Sequence, residues 1–165
     1  MKLTRPIIKE LSLEAYNDTS ILNSVAANLD NMDFKKVKTK YAKGGWDALS
    51  LHGYGNHPLD ILKPGVLKSS VNIDTKLQWT TLSVITTMKP ILGMLKKLPC
   101  EFERVRFMRL EAGKVIGKHT DKIDKDIGFD DGDIIRIHMP IRTNDNVVFT
   151  LYENTKDKNG TEHKL

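Results

Sequence analysis

The segment Gly113–Ile134 reads "GKVIGKHTDKIDKDIGFDDGDI" and holds a histidine and an aspartate two residues apart, His119 and Asp121. On a β-strand, side chains alternate with period two, so H-x-D sends an imidazole and a carboxylate to one face. Two such donors are most of a facial metal site. Neutral imidazole and carboxylate suit Fe(II), and two histidines plus one carboxylate leave coordination positions open for co-substrates. The dipeptide is a weak signal by itself, because His119 can equally pair locally with Asp121.

A second group lies downstream in "DIIRIHMPIRT". There Ile135, Ile137, Met139 and Ile141 share one parity, and Arg136, His138 and Arg142 share the other. The first set suits a core, with Ile135, Ile137 and Met139 packed on it. The second is cationic and is expected to point toward His119. In "RVRFMRL", Arg104, Arg106 and Met108 share a face opposite Val105, Phe107 and Arg109. A guanidinium grips a carboxylate through a two-pronged, charge-assisted fork. Arginines beside a metal therefore imply an acidic co-substrate. His138 alone reads more simply as a hydrogen-bonded strand histidine. His52 and His57 read as loop residues, Trp46 and Trp79 as core or pocket wall, and Cys100 as buried and inert.

These residues need elements to hold them. "LEAYNDTSILNSVAANLDNM" has Leu22, Val25, Ala26 and Leu29 at helical spacing, which predicts an N-terminal helix. "WDALSLHGYG" alternates and stops at glycines, as a strand does. A second helix is expected from about Lys89 to Lys97, with Pro90 in its first turn. Beyond Pro99, "FERVRFMRLEAG", "KVIGKHTD", "DIIRIHMPIRT" and "NVVFTLY" are four strand-like runs. Turn residues divide them at Ala112-Gly113, Asp131-Gly132 and Asn144-Asp145-Asn146. Helices followed by strands predict an α+β fold, and consecutive strands predict a barrel or a sandwich. "KIDKDIGFDDGD" is too polar and glycine-punctuated for a barrel strand and reads as a loop over the site mouth. It lacks the alternation and terminal glutamate of a calcium loop.

The chain has 165 residues, 39% hydrophobic and 28% charged, with a formal net charge of +5. Without repeat or linker, residues 1–165 read as a single domain. No apolar run is long enough for a membrane span, and the N-terminus has no secretory h-region. One cysteine forbids an internal disulfide, and a cytoplasmic location is expected. The lysines are scattered, so neither nucleic acid nor membrane is an expected partner; composition leaves the oligomeric state open.

Taken in order, R-x-R-x-x-R-L-x-x-G, H-x-D and R-x-H-x-P-x-x-T-N resemble the aspartyl/asparaginyl β-hydroxylase family of Fe(II)- and 2-oxoglutarate-dependent oxygenases. Some proline hydroxylases are related to that family. The resemblance runs from about Trp46 to Tyr152. It implies a double-stranded β-helix, a jelly-roll (cupin-like) barrel with N-terminal helices outside. It implies hydroxylation of an amino acid, free or peptidyl, with Fe(II) and 2-oxoglutarate as cofactors. His119 and Asp121 match the first two iron ligands. Arg136 and His138 match positions facing 2-oxoglutarate, and Arg106 falls on the site-facing side of its strand. The family takes its third ligand from a later histidine, followed by an arginine. Here His163 is the only later histidine, a weak match, and no arginine follows Arg142. The expectation is a chain lacking its last strands and, taken alone, a poor oxygenase. The alternative is a shortened barrel using His163. A rival from another class is a non-catalytic cupin-like module that holds a metal or an anion.

Overall fold

The computed structural model describes residues 18–39, 42–61, 77–119, 136–152 and 158–164. The chain divides into two units, one formed by 27–118 and the other by 1–26 together with 119–165.

Helix α1 spans Thr19–Leu29. Asp18 starts it: its Oδ1 accepts the backbone N–H groups of Ser20 at 3.0 Å and Ile21 at 3.3 Å, and the Ser20 hydroxyl at 2.6 Å. These bonds occupy donors that a helix leaves unpaired in its first turn. The Ser20 hydroxyl and then the Ile21 N–H hold the Asp18 carboxyl below its ordinary value. Val25, Ala26 and Leu29 are buried, as their spacing predicts.

The unit 27–118 is organised by one long strand. β1 (Lys35–Thr39), β2 (Ala42–Tyr54), β3 (Leu77–Trp79) and β4 (Val105–Arg109) form an antiparallel sheet in which β2 pairs with all the others. β1 and β4 both reach Asp47 and Ala48, so they lie on opposite edges of β2. β3 and β4 both meet His52, so β3 follows β1 along the same edge. Between β1 and β3 the backbone of β2 still finds partners. Ser50 N–H donates to the Pro58 carbonyl at 2.7 Å, and Thr80 N–H donates to the Leu51 carbonyl at 3.0 Å. The buried Thr80 hydroxyl adds a 2.7 Å bond to the Ser50 carbonyl. A strand buried on both faces has no water for these groups, so each must be paired within the protein.

Two irregularities shape β2. Gly44 and Gly45 both have positive φ where the β1–β2 register shifts, and a Cβ on Gly45 would lie 2.5 Å from the Val37 carbonyl oxygen. A second bulge lies between Ser50 and His52, opposite β4. Two 3₁₀ turns, Thr81–Val84 and Thr86–Met88, lead into helix α2, Lys89–Leu95, with Pro90 in its first turn. Leu49, Leu51, Phe107, Leu82, Met88, Ile91 and Met94 are buried in this unit.

In the other unit β5 (Val148–Leu151) pairs antiparallel with β6 (Thr161–Lys164). The turn before β5 forms at Asn144, whose carbonyl accepts Val147 N–H at 2.9 Å and whose side chain accepts Asn146 N–H at 3.0 Å.

The fold is therefore mixed α+β with antiparallel sheets, and the described strands do not themselves close a barrel. Two expected strands are corrected. Among the described residues Lys114–His119 contributes only an isolated bridge, Ile116 to Ala42, after a turn at Gly113 with φ +75°. Arg136–Arg142 carries no strand pairing among the described residues. Pro140 has no N–H to give a ladder there. Ile137, expected on a buried face, is 49% exposed. β1, β3 and β6 were not foreseen. Cys100 is exposed rather than buried, and His52 lies inside β2 rather than in a loop.

Candidate functional site

Arg106 is the candidate residue whose surroundings are best defined. The β2–β4 register sets Asp47 opposite Arg109, Ala48 opposite Met108, Leu49 opposite Phe107 and Ser50 opposite Arg106. Directly opposed residues project to one face. Arg106 therefore shares a face with Trp46, Ala48 and Ser50, while Phe107 and Arg109 share the other with Asp47 and Leu49. This is the parity read from "RVRFMRL". The Arg106 guanidinium lies over the Trp46 ring, 5.6 Å from its centroid, within reach of a cation–π attraction. Trp46 is itself buried with Ala42, Ala48 and Ile61, and Val37 and Ile116 pack against that cluster.

The opposite face carries a different pair. Arg109 Nη2 donates to Asp47 Oδ2 at 3.0 Å, and its guanidinium stands 4.2 Å from the Phe34 ring centroid. Adjacent residues of β2 thus engage β4 arginines on both sides of the sheet. Past the bulge the parity of β2 changes. A Cβ on Gly53 would touch Ser50 Oγ at 3.3 Å and Arg104 Cγ at 3.6 Å, which puts Gly53 on the Arg106 side. His52 turns the other way, edge-on to Trp79 at 4.7 Å, and Trp79 in turn meets Phe102 at 6.0 Å. His52 Nδ1 lies 3.0 Å from the Glu103 carbonyl oxygen. That oxygen only accepts, so Nδ1 carries the hydrogen. Burial pushes the imidazole pKa below its ordinary value, and the bond to Glu103 partly opposes this.

The remaining candidates belong to the other unit. His119 is exposed and lies in no strand, which corrects its own strand placement. Asp121 lies outside the described residues, as does the loop read at residues 122–133. Arg136 and His138 are exposed. The His138 ring stands 5.3 Å from the Phe149 ring at a tilt of 48°. Phe149 is the register partner of His163, so position 163 lies opposite the residue whose ring meets His138. Among the described residues no three His, Cys, Asp or Glu side chains group as a metal site. No helix among them is long and apolar enough to cross a membrane.

A family model for aspartyl/asparaginyl beta-hydroxylase matches residues 16–161. The chain belongs to the aspartyl/asparaginyl β-hydroxylase family. That family is one of Fe(II)- and 2-oxoglutarate-dependent hydroxylases. The match includes all the motif blocks, from the β4 arginines through H-x-D to R-x-H-x-P-x-x-T-N, and ends before His163. No curated protein and no solved structure matches the chain. Sequence reasoning missed Asp47, Arg109 and Phe34 as a group. Their only signal was an acid and an arginine placed to meet in one register of two strands.

Proposed function

We propose that this protein is a 2-oxoglutarate-dependent dioxygenase that hydroxylates an amino acid, free or within a peptide, on a double-stranded β-helix scaffold. The match over residues 16–161 carries the reading. His119 and Asp121 would hold Fe(II), with His163 a weaker third donor. The donor chemistry fits: His119 offers an exposed imidazole, and Asp121 offers a carboxylate two residues on. When bound, the metal and 2-oxoglutarate supply the oxidation that replaces a C–H bond by C–OH. The chain's own part is to bind, orient and exclude water. Arg136, His138 and Arg106 supply cationic or hydrogen-bonding groups for an acidic co-substrate. The Trp46 ring under Arg106 limits the directions in which its guanidinium can point. We place the protein in the cytoplasm, as one domain, with neither nucleic acid nor membrane as a partner.

The test is Fe(II)-dependent release of succinate from 2-oxoglutarate in the presence of amino acids and short peptides. Turnover that is lost in His119→Ala and in Asp121→Ala, with folding intact, supports the reading. An unchanged rate in both variants would overturn it. Tight metal or anion binding without any succinate would favour the non-catalytic module.

A further inference from the structure

The sequence of β4 leaves its own register undecided. The four pairs from Asp47–Arg109 to Ser50–Arg106 lie between the end of β4 and the bulge at Ser50/His52. Sliding β4 by one residue would send Arg106 to the opposite face, which the apolar pattern forbids. Sliding it by two residues keeps every face. In one direction Arg104 then stands opposite Ser50, Val105 opposite Leu49 and Phe107 opposite Asp47. That arrangement still sets an arginine on the Trp46 side and apolar groups in the core, because R-x-R repeats with the strand period. In the other direction Glu111 would oppose Asp47, a repulsive pair of like charges. Of these registers only the observed one gives Asp47 a cation, Arg109 Nη2 at 3.0 Å. Asp47 is 7% exposed and needs a charged partner. Arg109 is in turn held over Phe34.

We propose that the Asp47–Arg109 pair is a register lock, making both of them positioning residues that keep Arg106, and not Arg104, over Trp46 and opposite Ser50. The consequence for 2-oxoglutarate rests on Arg106 serving the acidic co-substrate; the geometric part does not.

Two measurements separate these parts. The chain has two tryptophans, so a Trp79→Phe background leaves Trp46 as the sole indole, directly beneath Arg106. Its emission is expected to change in Arg106→Ala; on the Asp47→Asn and Arg109→Gln backgrounds it should instead respond to Arg104→Ala, all read under conditions where the proteins are folded by circular dichroism. Arg109→Lys, which keeps the charge, should restore the response of the emission to Arg106→Ala. Arg109 is 42% exposed on its side chain, so its variants should fold even where Asp47→Asn does not. Emission that in folded Arg109→Gln still responds to Arg106→Ala and not to Arg104→Ala would overturn the lock.

The second measurement is anaerobic calorimetry of 2-oxoglutarate binding with Fe(II) present. Asp47→Asn should weaken binding in the same direction as Arg106→Ala, by about ten- to a hundred-fold for one lost charged contact. On the Asp47→Asn background Arg104→Ala should weaken it further, and Arg106→Ala should add little, because Arg104 now occupies the place. Full additivity of Arg106→Ala on that background would count against the slip. If Arg106→Ala leaves 2-oxoglutarate binding unchanged in the parent, the assignment of Arg106 to the co-substrate fails, while Trp46 emission still decides the lock.

Discussion

Replacing His52 by phenylalanine should give a protein whose stability deficit shrinks as the solution is made more acidic. His52 is 8% exposed, stands edge-on to Trp79 and gives its Nδ1 hydrogen to the Glu103 carbonyl. Phenylalanine keeps the ring and the edge contact but loses that bond, at a cost of about 1 kcal/mol near pH 8. The histidine's titration then works against the parent. Its folded pKa lies below the ordinary 6.5 because burial disfavours the cation. Below about pH 6.5 the unfolded chain takes up a proton that the folded chain refuses, so parent stability falls with pH, by at most about 1.4 kcal/mol per unit. The loss ends once the pH is below the folded pKa. The Glu103 carboxylate is engaged by Arg104 Nε at 2.9 Å and is present in both proteins. Urea melts of parent and His52→Phe at pH 8, 7, 6 and 5 provide the comparison. The variant should be less stable at pH 8, and the gap should narrow toward pH 5. A gap that stays constant or widens with acid would refute the argument.

Other substitutions test the frame around the site. Thr80→Val keeps volume but removes the 2.7 Å bond to the Ser50 carbonyl, and should lower stability by about 1–2 kcal/mol in urea melts. Gly45→Ala forces a Cβ against the Val37 carbonyl at a residue with φ +74° and should cost about 1–3 kcal/mol or more. Gly93→Ala, in exposed helix with nothing within 4 Å of the added carbon, should instead stabilise by about 0.5–1 kcal/mol in the same melts.

The sequence was informative where one segment's own pattern decides its structure, and silent where a partner does. α1, β2 and α2 could be read because periodic apolar residues, glycines and Pro90 act locally. β1 is "KKVKT", with Val37 its only apolar residue, and nothing in it announces a strand. It is one because β2 offers an edge, and the ladder holds on both sides of the Gly44–Gly45 irregularity. β3 and β6, at three and four residues, likewise exist through their ladders. The reverse happened at Lys114–His119 and Arg136–Arg142. There alternation was visible, yet alternation is only permission to pair. His52 shows the same gap at the scale of one side chain. In a regular strand it would share a face with Trp46 and Ser50, but the bulge reverses parity after Ser50, and Gly53 takes the place beside Arg104. The face of Arg106 was legible because β4 is regular over its length. Its register was not, because arginines two apart look alike to a ladder with period two. The residue that distinguishes them lies on another strand, and a single acid–arginine pair, Asp47 with Arg109, is the smallest addition that can do so.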